Sequence, residues 1–122
     1  MTTGEFIEAA ADVGEAGACC TFLIDDSIPE AARSGYAALV IAYARADEPV
    51  CIEDDGTAIL LVREGGVTAG KVVATRILDQ MRRLSLDGTL RAGVVPLRAD
   101  AAAVIRESRS AASAANAGSV NA

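Results

Sequence analysis

The chain has 122 residues, 52% hydrophobic and 23% charged, a size and composition that suit one compact domain with a buried core and do not suit two. Eleven basic residues against seventeen acidic ones leave a formal charge of −6, so neither a nucleic-acid backbone nor an anionic membrane surface is an expected partner. Histidine is absent, which excludes Ser-His-Asp and Cys-His enzymes and leaves carboxylate and metal chemistry, or none.

Thr2 and Glu5 have capping-box spacing, and Phe6, Ile7, Ala10 and Val13 follow at helical intervals, so a short amphipathic helix opens the chain and stops near Gly14 or Gly17. This acidic start is unlike a signal peptide, and no apolar run nears the roughly 18 residues of a membrane span, so a cytoplasmic location is expected. The run CCTFLI at 19–24 is apolar at both parities, as a central strand buried on both faces should be, and it stops at Asp25 and Asp26. Ser27 and Glu30 form a second capping box around Pro29, before a helix whose face is Ile28, Ala32, Tyr36, Leu39, Val40 and Tyr43 and which runs to about Ala46. Pro49 ends it. The runs PVCI and TAILLV then flank Glu53-Asp54-Asp55-Gly56, a hairpin turn in which Asp-Gly tolerates positive φ.

Gly65 and Gly66 close the hairpin, and Val73, Ile77, Met81 and Leu84 recur along a helix over 68–84, with Arg76, Arg82 and Arg83 on a solvated face. Asp87-Gly88 makes the next turn, TLRAGVV reads as a strand with Arg91 exposed, and Asp100 caps an Ala-rich last helix through Val104, Ile105 and Ala112. The small residues Ala101, Ala112 and Ala115 on that helix, together with the sheet edges, offer a route to a homodimer. The division is then a single domain: an N-terminal helix over 1–17, a core with the last helix over 18–118, and a frayed tail over 119–122. Cys19, Cys20 and Cys51 cannot all pair and fall short of the four Cys or His ligands usual for zinc, so they read as reduced core thiols.

The order α-β-α-β-β-α-β-α places a β-α-β-β-α-β core between two extra helices, an α+β arrangement of the ferredoxin-like, palm-like kind with an antiparallel sheet. Its first and third strands are interior, and these are the two runs apolar at both parities. Antiparallel pairing of those strands brings Asp25 and Asp26 toward Glu53, Asp54 and Asp55. Carboxylates converging from two strand ends suit a hard cation such as Mg²⁺, with Asp25 and Asp55 the candidate ligands. The competing use of the same residues is local: an Asp-Asp-Ser helix cap and an Asp-Asp-Gly turn.

In element order and in several phrases the chain resembles the diguanylate cyclase, or GGDEF, family, which makes cyclic di-GMP from two GTP on a palm-like fold. FIEAAADVGEAG resembles the helix before that family's first strand, and TFLIDDS the strand ending in its metal-binding aspartate. VCIEDDGTAILLV has the shape of the signature hairpin, LRAGVVP resembles the strand often written Ser-hydrophobic-Gly, and ADAAAVIRESRSAASAANAGSVN resembles the closing helix. Against the family's Gly-Gly-Asp/Glu-Glu-Phe stand Glu53, Asp54, Asp55, Gly56 and Thr57, so only Asp55 keeps a carboxylate in register. Side chains in place of the paired glycines obstruct a nucleotide and add negative charge opposite a triphosphate. The family's Phe-Lys and Asn/Asp residues have no counterpart in SIPEAARSGYAAL, the connection is too short for two helices, and Arg45-Ala46-Asp47 is one residue too tight for the family's Arg-x-x-Asp product site.

The resemblance implies a degenerate GGDEF domain without cyclase activity. Asp25 and Asp55 are the remains of its Mg²⁺ site, no other cofactor is expected, and the role is regulatory or scaffolding through a protein partner or self-association. Two alternatives stand beside it. One is a ferredoxin-like sensor of a nucleotide or amino acid, and the other is a residual Mg²⁺-dependent nucleotidyl cyclase.

Overall fold

The computed structural model describes residues 1–122. Helix α1, Thr3–Val13, starts where the sequence places it because the capping box closes in both directions: Glu5 N–H donates to Thr2 Oγ1 at 3.1 Å and Thr2 N–H to Glu5 Oε1 at 3.0 Å. Strands β1 (Ala18–Ile24), β2 (Val50–Ile52), β3 (Ala58–Val62), β4 (Leu90–Pro96) and β5 (Val120–Asn121) form one sheet in the order β2-β3-β1-β4-β5. The first four pair antiparallel, with Cys20 opposite both Leu60 and Val94, so β1 and β3 are interior as their apolar runs require.

The sheet separates two apolar layers. Ala18, Cys20, Phe22 and Ile24 face one side, where α2 (Arg33–Tyr43) and α3 (Gly66–Arg83) supply Val40, Val73, Ile77 and Met81. Cys19 faces the other with Ile59 and Leu61, against Phe6 of α1 and Val104 of α4 (Ala101–Ala114). Helices on both faces of the sheet are the physical cause of an apolar pattern at both parities in β1.

The structure corrects several expectations. The tail does not fray: β5 runs parallel to β4, making the sheet mixed. Otherwise the outer edge of β4 would lack partners; instead Ala92 N–H donates to Ser119 O at 3.0 Å and Gly118 N–H to Leu90 O at 2.8 Å, while the Asn121 side-chain amide ties the tail to Ala111 O of the last helix at 3.0 Å. The expected helix over 28–46 becomes a 3₁₀ turn, Glu30–Ala32, followed by α2, because Ser27 bonds back to Asp25 instead of capping forward. Ala32 is exposed and Ala37 takes its buried place. In α3, Leu84 lies just past the last turn and is 47% exposed, whereas Leu78 is buried.

Two glycines set how closely the helices dock. A Cβ on Gly70 would sit 2.5 Å from Val94 Cγ1, so α3 lies tight on β4. One on Gly93 would sit 2.2 Å from Ala112 N and 2.3 Å from Ser108 O, so the α4 backbone rests directly on the strand. Ala101, Ala112 and Ala115, considered as a self-association face, are instead buried within this chain by that docking.

Candidate functional site

The loop after β1 and the β2–β3 turn lie at one end of the sheet, and both carry carboxylates. Asp25 is fixed on both sides. Its N–H donates to Thr89 O at 2.9 Å, its Oδ2 accepts from Ser27 N–H at 3.1 Å and from the Ser27 hydroxyl at 2.5 Å, and its Oδ1 accepts from Arg91 Nη2 at 3.0 Å. The Ser27 hydroxyl first, then Arg91, hold its carboxyl down at about 2. Arg91, expected to be exposed, is half-buried because it bridges Asp25 and the last turn of α4, donating to Ala115 O at 3.1 Å. That carbonyl lies at the helix end, where intrahelical donors run out.

The turn forms as its sequence predicts, with Gly56 at φ 86°, Glu53 N–H donating to Thr57 O at 2.8 Å and Thr57 N–H to Asp55 Oδ1 at 3.0 Å. Across the sheet end, α4 projects Arg109 onto it. One guanidinium nitrogen donates to Glu53 Oε1 at 3.0 Å and Thr57 Oγ1 at 3.1 Å, the other to Asp55 Oδ2 at 2.5 Å. Partial desolvation pushes the Asp55 carboxyl up, but the hydrogen bonds from Arg109 and Thr57 outweigh it and hold the group down at about 2. The same bond to Asp55 raises the Arg109 pKa.

Asp25 and Asp55 therefore sit on separate arginines and in separate grooves: Asp25 with Arg91 and Ser113, Asp55 with Arg33, Asp26 and Asp54. Asp26, not Asp25, is the carboxylate from the β1 end that shares a groove with the turn. No three Asp, Glu, His or Cys side chains converge in a way that could hold a metal ion. A cation at Asp25 or Asp55 would have to displace a guanidinium, so the residues present do not fit Mg²⁺ as they stand.

All three cysteines are free and buried. Burial pushes the Cys19 thiol up to about 11 and raises Cys20 further, which keeps both protonated and unreactive. Cys19 Sγ lies 3.4 Å from Ser108 Oγ, itself 2.6 Å from Thr21 Oγ1, a buried polar contact between β1 and α4. Arg76, expected on a solvated face, pairs with buried Glu48 at 2.5 Å and donates to Tyr43 O at 3.3 Å, joining α3 to the end of α2. Arg82 stays on the surface, paired with Asp79 at 2.5 Å.

The contacts of Arg91, Arg109 and Glu48 are not readable from their neighbours in sequence. Arg109 meets Asp55 across 54 positions and Arg91 meets Asp25 across 66, so neither leaves a local motif.

This strand order with paired helices on one face is the palm-like, ferredoxin-like α+β fold. Among solved structures it is similar to the crystal structure of the FimX GGDEF domain from Pseudomonas aeruginosa, with a TM-score of 0.73 over 95% of this chain and 88% of that one. The two are 15% identical, so the likeness is one of fold. No protein-family model and no curated protein matches the chain. No helix is long and apolar enough to cross a membrane.

Proposed function

We propose that this chain is a GGDEF-like signalling domain that has lost cyclic di-GMP synthesis and acts as a regulatory or scaffolding module through contacts with protein. The observation that carries the reading is Arg109. It bonds to the turn at the position of the family signature, engaging Glu53, Asp55 and Thr57 together. A triphosphate approaching that turn meets the side chains of Glu53 and Asp54 in place of bare glycine backbone, and no free metal ligand at Asp55. Catalysis by metal needs open coordination positions, and Arg109 and Thr57 occupy those of Asp55, while the groove of about 510 Å³ beside the turn sets Asp26, Glu30 and Asp54 against Arg33 alone, a lining that repels a triphosphate. The single short helix between β1 and β2 supports the same reading, since the family it resembles has two helices there.

The test is direct. The purified chain, incubated with GTP and Mg²⁺ and resolved by chromatography, is expected to yield no cyclic di-GMP. Product that disappears in Asp55→Ala would overturn the reading. A melting screen addresses the sensor alternative: a nucleotide or amino acid at 100 times its dissociation constant would add about 2.7 kcal/mol, and no such gain is expected.

A further inference from the structure

The sheet ends on β2, which has no second strand neighbour. Leu61 N–H donates to Pro49 O at 3.0 Å and Glu53 N–H to Thr57 O at 2.8 Å, so residues 49 and 53 face β3. By the alternation of an antiparallel ladder Cys51 does too, and Val50 and Ile52 turn their N–H and C=O groups outward. Two donors and two acceptors, two residues apart, are what an added strand requires.

Beside this edge, α2 and the hairpin frame a groove of about 380 Å³ with Ala38, Ile41 and Ile52 on its floor and Glu30 and Asp54 at its rim. Ile41 is 52% exposed, a large apolar side chain with nothing over it. Glu53 also reaches the groove but is held by Arg109, whereas Glu30 and Asp54 make no ion pair. The adjoining groove repeats the charge with Asp26, Glu30 and Asp54 against Arg33, its Asp55 being held by Arg109.

Resting on the reading of the domain as a protein-interaction module, we propose that β2 and this groove receive an extended, basic segment of a partner protein as an added strand. One apolar residue of the segment lies over Ile41 and Ile52. Two residues along, on the same face, a Lys or Arg reaches Asp54 and Glu30. Charge selects this occupant over a second copy. Self-pairing through the outward groups of Val50 and Ile52 sets Asp54 opposite Glu48 when antiparallel and beside Glu53 or Asp55 when parallel, carboxylate against carboxylate, in a chain of net charge −6.

Short random peptides displayed on phage and selected against the full chain supply the probes, and the best binders are synthesised for fluorescence anisotropy. Enriched sequences are expected to alternate apolar and basic residues and to bind about tenfold more weakly to Ile41→Asp and to Asp54→Lys. Bound peptide should slow amide exchange at Val50 and Ile52, and N-methylation of alternate peptide amides should abolish binding. Both substituted side chains are exposed, and circular dichroism verifies that the variants fold. No binders, binders indifferent to both substitutions, unchanged exchange at Val50 and Ile52, or a dimer in light scattering that competes with peptide would each overturn the proposal. Binders on another face, with no cyclic di-GMP formed, would remove this surface and leave the module reading standing. Cyclic di-GMP formation would remove the module reading itself.

Discussion

Arg109→Ala removes the guanidinium that joins α4 to the β2–β3 turn, and the structure sets the size of the effect. Asp55 titrates at about 2 against an ordinary 3.8, a difference equivalent to about 2.4 kcal/mol if carried wholly into stability. Thr57 shares in that depression and stays in the variant, and the two ion-paired side chains are 43% and 48% exposed, so the part lost with Arg109, after solvent screening, is about 1 kcal/mol. The lost bonds to Glu53 and Thr57 add about 0.5 kcal/mol. Unfolding entropy near 2.1 cal/mol/K per residue gives about 0.26 kcal/mol/K for 122 residues, so the melting temperature at neutral pH should fall by about 6 °C. Because the folded pKa of Asp55 lies below its unfolded value, its stabilisation is complete above about pH 4 and lost as pH falls toward 2. The gap between parent and variant should therefore narrow over that interval to a remainder of about 2 °C or less from the bond to Thr57. Asp25 is depressed in both proteins and cancels from the difference. Melts followed by circular dichroism across this range, with a carbon-13 NMR titration of Asp55, make the measurement. Equal melting at neutral pH, a gap as wide at pH 2 as at neutral pH, or an Asp55 midpoint unmoved in the variant would refute the argument.

Gly93→Ala should be more damaging, because its Cβ would lie 2.2 and 2.3 Å from backbone atoms of α4 that no rotamer can move. The whole helix must retreat by about 1 Å, costing about 3 kcal/mol and about 12 °C in melting temperature. Asp55 should also titrate higher as Arg109 is carried away. A variant melting within about 2 °C of the parent would contradict the close docking. The cysteines give a third expectation: in native protein at neutral pH a disulfide reagent should label none of them at a useful rate, and labelling should follow unfolding as urea is added. Rapid labelling of the folded chain would show that the thiols are reachable.

What the sequence made legible was whatever short-range pattern determines. The Thr2–Glu5 box, the Asp-Gly turn and the Asp100 cap, whose side chain accepts from Ala103 N–H at 3.0 Å, depend on residues two or three apart, and all form. The sheet order was legible for another reason: only interior strands can be apolar on both faces, and β1 and β3 are such strands. Ser27 shows where this reasoning fails. Its spacing to Glu30 fits a cap, but Asp25 is a nearer acceptor and takes both its N–H and its hydroxyl. The tail failed for the opposite reason, since AGSVNA has little strand propensity of its own. The open edge of β4 and the positive φ of Gly118 make it a strand. At the site, the carboxylates were visible in sequence and their partners were not, because guanidinium contacts bridging distant elements follow no spacing rule.

The distribution of charge argues for where recognition takes place. Acidic groups at the loop end of a palm-like sheet can bind a cation or can be neutralised by the protein itself. Here Arg91 from β4 takes Asp25, and Arg109 from α4 takes Asp55 and Glu53. Two elements that approach the sheet end from one side thus convert an acidic cleft into part of the fold's own bonding. The carboxylates left without ion pairs, Asp26, Glu30 and Asp54, lie beyond those arginines, around α2 and the hairpin. They lie beside Ile41 and the outward amides of β2, where an ion pair can be joined to apolar burial and to backbone hydrogen bonds. A partner bound there gains from all three interactions, while a nucleotide at Asp55 would first have to displace Arg109.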